Sequence, residues 1–130
     1  MLDHMGFAVA DFERSLSFYT AALAPLSLKV VMSVTREQTG AGAHAGFGGA
    51  DGKPFFWIGE ARGGAVAGVH VAFAAKSRAA VEAFYTAAIA AGGRGNGAPG
   101  LRPHYHPNYY GAFVLDPDGA NVEAVCHRPE

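Results

Sequence analysis

Two histidines open the same local pattern twice in this 130-residue chain, and a single glutamate near its end completes a set of residues able to do chemistry. Sliding the sequence by 66 residues sets HMGFAVADFERSLSFYTAALA (4–24) over HVAFAAKSRAAVEAFYTAAIA (70–90). His4 then falls on His70, Phe7 on Phe73, Ala8 on Ala74, and FYTAALA on FYTAAIA. The third residue is Glu123, in DPDGANVEAVCH. Two imidazoles and one carboxylate suit divalent Fe, Mn and related metals that keep open coordination positions. The same glutamate also fits a solvated strand face, because Asn121, Glu123 and Val125 alternate with Val122, Ala124 and Cys126. Spacing alone leaves both readings open.

The elements that must position these residues follow from periodicity. Residues 4–9 and 70–75 alternate as strands, with Met5, Phe7 and Val9, and then Val71 and Phe73, on one face. The opposite faces carry His4, Gly6, Ala8 and His70, Ala72, Ala74, so each histidine sits beside unfilled volume, which a packed interior would not tolerate. Asp11 and Ser77 are matched helix caps. Phe12, Leu16, Tyr19 and Leu23 follow helical spacing, as do Val81, Phe84 and Ala88. Pro25 stops the first helix, and Gly92-Gly93 ends the second. Short β-type runs follow at 28–34, 43–48 and 54–59, then near 93–102, 109–115 and 120–126, with Asp-Gly turns at 51–52 and 118–119. The expectation is an α+β chain in which a βαβββ unit is duplicated: module one at 1–59, a joint at 60–68, module two at 69–130.

Composition narrows the function. Ten Lys and Arg against eleven Asp and Glu, with no basic run, leave no footprint for nucleic acid or an anionic membrane. One cysteine, Cys126, excludes an intrachain disulfide, and its strand parity makes it a packing residue. The N-terminus lacks a signal-peptide pattern and no apolar run spans a bilayer, so a cytoplasmic protein is expected. GNGAPG (95–100) follows a helix rather than a strand, against a dinucleotide fingerprint. The stretch LRPHYHPNYY (101–110) reads as a stiff loop whose Arg102, Tyr105, His106 and Tyr110 would line a pocket.

The opening H-x-x-x-x-V-x-D-x-x-R-S-x-x-F-Y (His4, Val9, Asp11, Arg14, Ser15, Phe18, Tyr19) and the ending F-V-x-D-P-D-G-x-x-x-E (Phe113 to Glu123) resemble the vicinal-oxygen-chelate superfamily. That group includes glyoxalase I, fosfomycin-resistance thiol transferases, extradiol dioxygenases and bleomycin-resistance proteins. The resemblance implies an open, cupped mixed sheet around one divalent ion (Fe, Mn, Zn, Ni or Co), with His4, His70 and Glu123 as ligands. It further implies a homodimer sharing sites between chains, and a lyase, dioxygenase or transferase acting on a small molecule with two vicinal oxygens. The fourth ligand position falls on Trp57, which cannot bind a metal and would instead wall the pocket. True glyoxalase I activity is therefore not expected. The alternative is a metal-free protein that sequesters a small molecule, as in the bleomycin-resistance branch.

Overall fold

The computed structural model describes residues 1–61 and 63–130. Strand β1 (Met5–Val9) leads into helix α1 (Phe12–Leu23), and β2 (Lys29–Val34), α2 (Arg36–Thr39), β3 (His44–Gly48) and β4 (Pro54–Glu60) follow. The second half repeats the plan with β5 (His70–Ala74), α3 (Arg78–Ala90), β6 (Arg94–Leu101), β7 (Tyr110–Leu115) and β8 (Asn121–Cys126). Two four-stranded sheets result, ordered β1-β4-β3-β2 and β5-β8-β7-β6. In each, the first strand runs parallel to the last and the remaining pairs are antiparallel. The expected joint at 60–68 includes residue 62, which lies outside the described residues, and its first residue, Glu60, belongs to β4.

Local chemistry accounts for the helix ends. The Asp11 carboxylate accepts from the Arg14 amide at 3.1 Å, and the Ser77 hydroxyl accepts from the Ala80 amide at 3.1 Å. Pro25 sits in a single 3₁₀ turn (Ala24–Leu26) that closes α1. The two Asp-Gly turns place Gly52 at φ 72° and Gly119 at φ 89°, a backbone region that side chains disfavour. Helix α2 was not anticipated. It is one turn long and owes its existence to a reciprocal capping box between Thr35 and Gln38.

Each sheet turns one face to the helices and leaves the other open. Helix α1 lies against β2 and β4, α3 lies against β6, β7 and β8, and the two helices touch. One shared core forms between them. Phe56 of β4 meets Phe73 of β5 edge-to-face at 5.1 Å, and Tyr19 packs on Phe18 and Phe56 at 5.0 and 5.1 Å. Cys126 is fully buried in this core.

A polar clasp also ties the halves together. The buried Tyr19 hydroxyl donates to Asp116 Oδ2 at 2.5 Å, and Asp116 Oδ1 accepts from the Asp118 and Ala120 amides, both at 2.9 Å. Burial, reinforced by the Asp116 charge, pushes the Tyr19 hydroxyl far above its ordinary pKa, so it remains a donor. Tyr19→Phe is expected to strand a buried carboxylate oxygen and cost about 1–3 kcal/mol. Urea unfolding should show a lower midpoint at unchanged slope, and an unchanged midpoint would remove the clasp from the account of stability.

Candidate functional site

On the open face of the second sheet, β5 and β8 set His70 opposite Asn121 and Ala72 opposite Glu123. The His70 Nδ1 lies 2.9 Å from the Asn121 carbonyl oxygen, which can only accept, so Nδ1 carries the proton and donates. The Nε2 lone pair then faces Glu123 Oε1 at 3.2 Å. In the neutral imidazole these are two acceptors with no proton between them, an arrangement completed by a cation or by a second proton on the ring. Glu123 is only 2% exposed, whereas His70 is 49% exposed, so the carboxylate is held in place while the imidazole meets solvent.

The carboxylate has further support. The Tyr109 hydroxyl donates to Glu123 Oε2, and desolvation together with this bond pushes its pKa up to about 12. Tyr109 thus stays a donor at neutral pH. Phe113, directly across from Glu123 in β7, stacks on the His70 ring at 6.3 Å.

The open face of the first sheet is different in character. His4 precedes β1 and is 59% exposed, with Nδ1 2.7 Å from Asp3 Oδ1; this hydrogen bond holds the Asp3 carboxyl below its ordinary range. Trp57 lies across from Gly6 on β1 and Gly46 on β3. It lines a hollow shared with His4, Gly6, His44 and Pro54. Glu60, the carboxylate nearest this region in sequence, is tied up by Arg36, whose Nε donates to Oε2 at 2.9 Å and whose second nitrogen pairs with Oε1. That contact lowers the Glu60 pKa and keeps it an anion.

Of the residues expected from sequence, His70 and Glu123 are brought together, and His4 is carried by the other sheet. Among the described residues of one chain, no three His, Cys, Asp or Glu side chains converge closely enough to hold an ion. Arg102 lies over the Phe113 ring at 5.4 Å, with its guanidinium donating to the carbonyls of Gly100 and Ala98 at 2.8 Å each. Tyr105 packs on Tyr109 at 4.7 Å, and His106 Nε2 meets His127 Nδ1 at 2.8 Å. Tyr110 does not join them. Strand register turns it to the helix side, where its hydroxyl donates to Glu82 at 2.7 Å and Arg78 covers its ring. Sequence reading missed Tyr109, Phe113, His127 and His44. Phe113 was recoverable from strand parity, since it stands opposite Glu123 in the terminal hairpin.

The sequence profile of the Glyoxalase/Bleomycin resistance protein/Dioxygenase superfamily matches residues 1–124. No curated protein matches the chain. Among solved structures, a glyoxalase/bleomycin resistance protein from Albidiferax ferrireducens T118 is 29% identical, with 98% of each chain covered and a TM-score of 0.77. A glyoxalase I mutant from Zea mays is 25% identical at a TM-score of 0.71; the match covers 95% of this chain and 46% of that one. A glyoxylase/bleomycin resistance protein/dioxygenase domain from Frankia sp. EAN1pec shares the fold, with a TM-score of 0.73, 18% identity and 98% of each chain covered. Two sheets of duplicated βαβββ plan, the matched ends and these likenesses agree: the chain belongs to the Glyoxalase/Bleomycin resistance protein/Dioxygenase superfamily.

Proposed function

We propose that this protein is a divalent-metal-dependent enzyme acting on a small molecule with two vicinal oxygens, in a site shared by two copies of the chain. The observation that carries the reading is the pair His70 Nε2 and Glu123 Oε1, facing each other at 3.2 Å while the other ring nitrogen is engaged by the Asn121 carbonyl. Two donors bound at about 2.0–2.2 Å on adjacent corners of a coordination sphere stand roughly 3 Å apart, so the pair fits one ion. Its outer shell fits as well: the Asn121 carbonyl orients His70, and Tyr109 holds the second carboxylate oxygen. His4, oriented by Asp3 in the same manner, is the third ligand, supplied by the second copy.

When bound, such an ion supplies Lewis acidity toward the two substrate oxygens. The chain's own residues do the rest. Tyr109 keeps Glu123 from swinging away and fixes where its negative charge lies. Asn121 holds the imidazole proton on Nδ1, so Nε2 stays available. Trp57 presents an apolar face that excludes water from a small substrate, and Phe113 packs between the His70 ring and the Arg102 guanidinium and so steadies the imidazole.

Elemental analysis of protein purified without chelator tests the reading, with about one divalent transition ion per site as the expected result. No metal found, and no binding of added Fe, Mn, Co, Ni or Zn, would favour a metal-free sequestering protein and sink the proposal. Isomerisation of the methylglyoxal–glutathione hemithioacetal should fall about 10²–10⁴-fold below that of a glyoxalase I, the usual contribution of an acid–base group. Trp57 offers no such group, and Glu60 is engaged by Arg36. Turnover at a glyoxalase I rate would reveal a further acid or base in the site and overturn this expectation.

A further inference from the structure

The first sheet carries an imidazole that the metal reading does not use. His44 and Trp57 sit diagonally across the β3–β4 ladder, and each ring lies over a glycine of the neighbouring strand. A Cβ on Gly59 would stand 2.4 Å from the His44 ring, and one on Gly46 would stand 2.9 Å from two atoms of the indole ring. Glycine inside a strand often marks the close approach of another group, and here that group is a ring laid on the sheet. Two adjacent rings are therefore paved onto the open face.

The His44 tautomer is fixed. Its Nδ1 lies 2.9 Å from the Gly42 carbonyl oxygen, so Nδ1 donates and Nε2 keeps its lone pair. Among the described residues no group donates to Nε2, and it stands 2.7 Å from where a Gly59 Cβ would be, over β4. The floor beyond it is Gly6 and Ala8 of β1, with no side chain larger than a methyl. His44, Trp57, Gly6, Ala8 and Glu60 border a hollow of about 230 Å³, and the Glu60 carboxylate there is already engaged by Arg36, which leaves His44 Nε2 as the open acceptor. A cavity of about 150 Å³ already admits benzene, so one aromatic ring fits, and a second fused ring extends into the adjoining hollow beside Gly6, His44 and Trp57.

We infer that His44 and Trp57 form a ligand platform for a planar aromatic molecule bearing a hydroxyl, whose ring lies against the indole and whose O–H donates to His44 Nε2. The platform is built by one sheet of one chain, so it stands or falls without the ion. If the metal reading also holds, the platform names the substrate class of that site as a hydroxylated aromatic.

Trp57 is the only tryptophan, so its emission reports this hollow directly. Chelator-treated protein is titrated with 2-naphthol and with 2-methoxynaphthalene, which has the same rings and cannot donate. The expected result is saturable quenching of Trp57 by both, with 2-naphthol bound about tenfold more tightly, as one hydrogen bond implies. His44→Phe keeps a ring over Gly59 and removes the acceptor, so the preference for the naphthol should vanish while the ether still binds. Gly59→Ala, whose methyl displaces the His44 ring, should erase the same preference by a second route, with far-UV circular dichroism checking the fold of both variants. Absence of saturable quenching, or a naphthol preference that survives in folded His44→Phe and Gly59→Ala, overturns the platform. Metal analysis is independent of all these titrations, so failure of the ion reading and failure of the platform are told apart.

Discussion

Replacing His70 by Ala is expected to lower affinity for a divalent transition ion by at least about 100-fold, while leaving the fold in place. Loss of an outer-sphere partner alone typically costs 10–100-fold, and His70 is proposed to touch the ion itself. Stability should change little, because the imidazole is 49% exposed on an open sheet face and contributes nothing to the shared core. Away from packed positions a substitution usually stays within about 0.5 kcal/mol. Isothermal titration with Mn²⁺ or Co²⁺, alongside thermal unfolding, separates the two effects. An affinity unchanged from wild type would remove His70 from the site, whatever the metal content of the native protein.

The second large effect concerns assembly. The first sheet carries His4, the second carries His70 and Glu123, and no three ligating side chains gather among the described residues of one chain. A two-fold dimer would set the first sheet of one protomer against the second sheet of its partner and make two equal sites. His4→Ala protein and His70→Ala protein should each bind essentially no ion alone. After subunit exchange at equal concentrations, random pairing makes half the dimers mixed, each with one intact site, so about one quarter of all sites should recover. No recovery despite demonstrated exchange would place the ligands within one chain, and a monomer by light scattering would exclude the shared site outright.

Much of the fold was legible because duplication doubled every local signal. The caps at Asp11 and Ser77, the apolar helix spacing and the two-sided first strands each occur twice, and the structure places all of them as periodicity implies. Signals without a second copy fared worse. The capping box at Thr35–Gln38 builds a helix only one turn long, too short for a periodic apolar stripe to reveal. Tyr109 and Tyr110 are neighbours of one residue type, and only the register of β7 against β8 decides which of them reaches Glu123. His44 was hidden for a related reason. A fixed offset of 66 leads from Glu123 to Trp57 on β4, whereas the His44 imidazole stands one strand over on β3. Its relation to Gly59 exists only in the ladder.

The parallel closure of each sheet bears on how the chain is made. Strand β1 is synthesised first, yet its ladder partner is β4, so Met5 must wait for Phe56 before it can pair. At roughly 5–20 residues per second, the apolar side of β1 therefore spends several seconds unpaired during translation. The second sheet repeats the delay, with His70 waiting for Asn121. Pairings of such long sequence separation are the slow steps of folding and the ones most exposed to aggregation. With only its first 53 residues outside the ribosome, the chain still lacks the strand that stands between β1 and β3, so the first sheet cannot close.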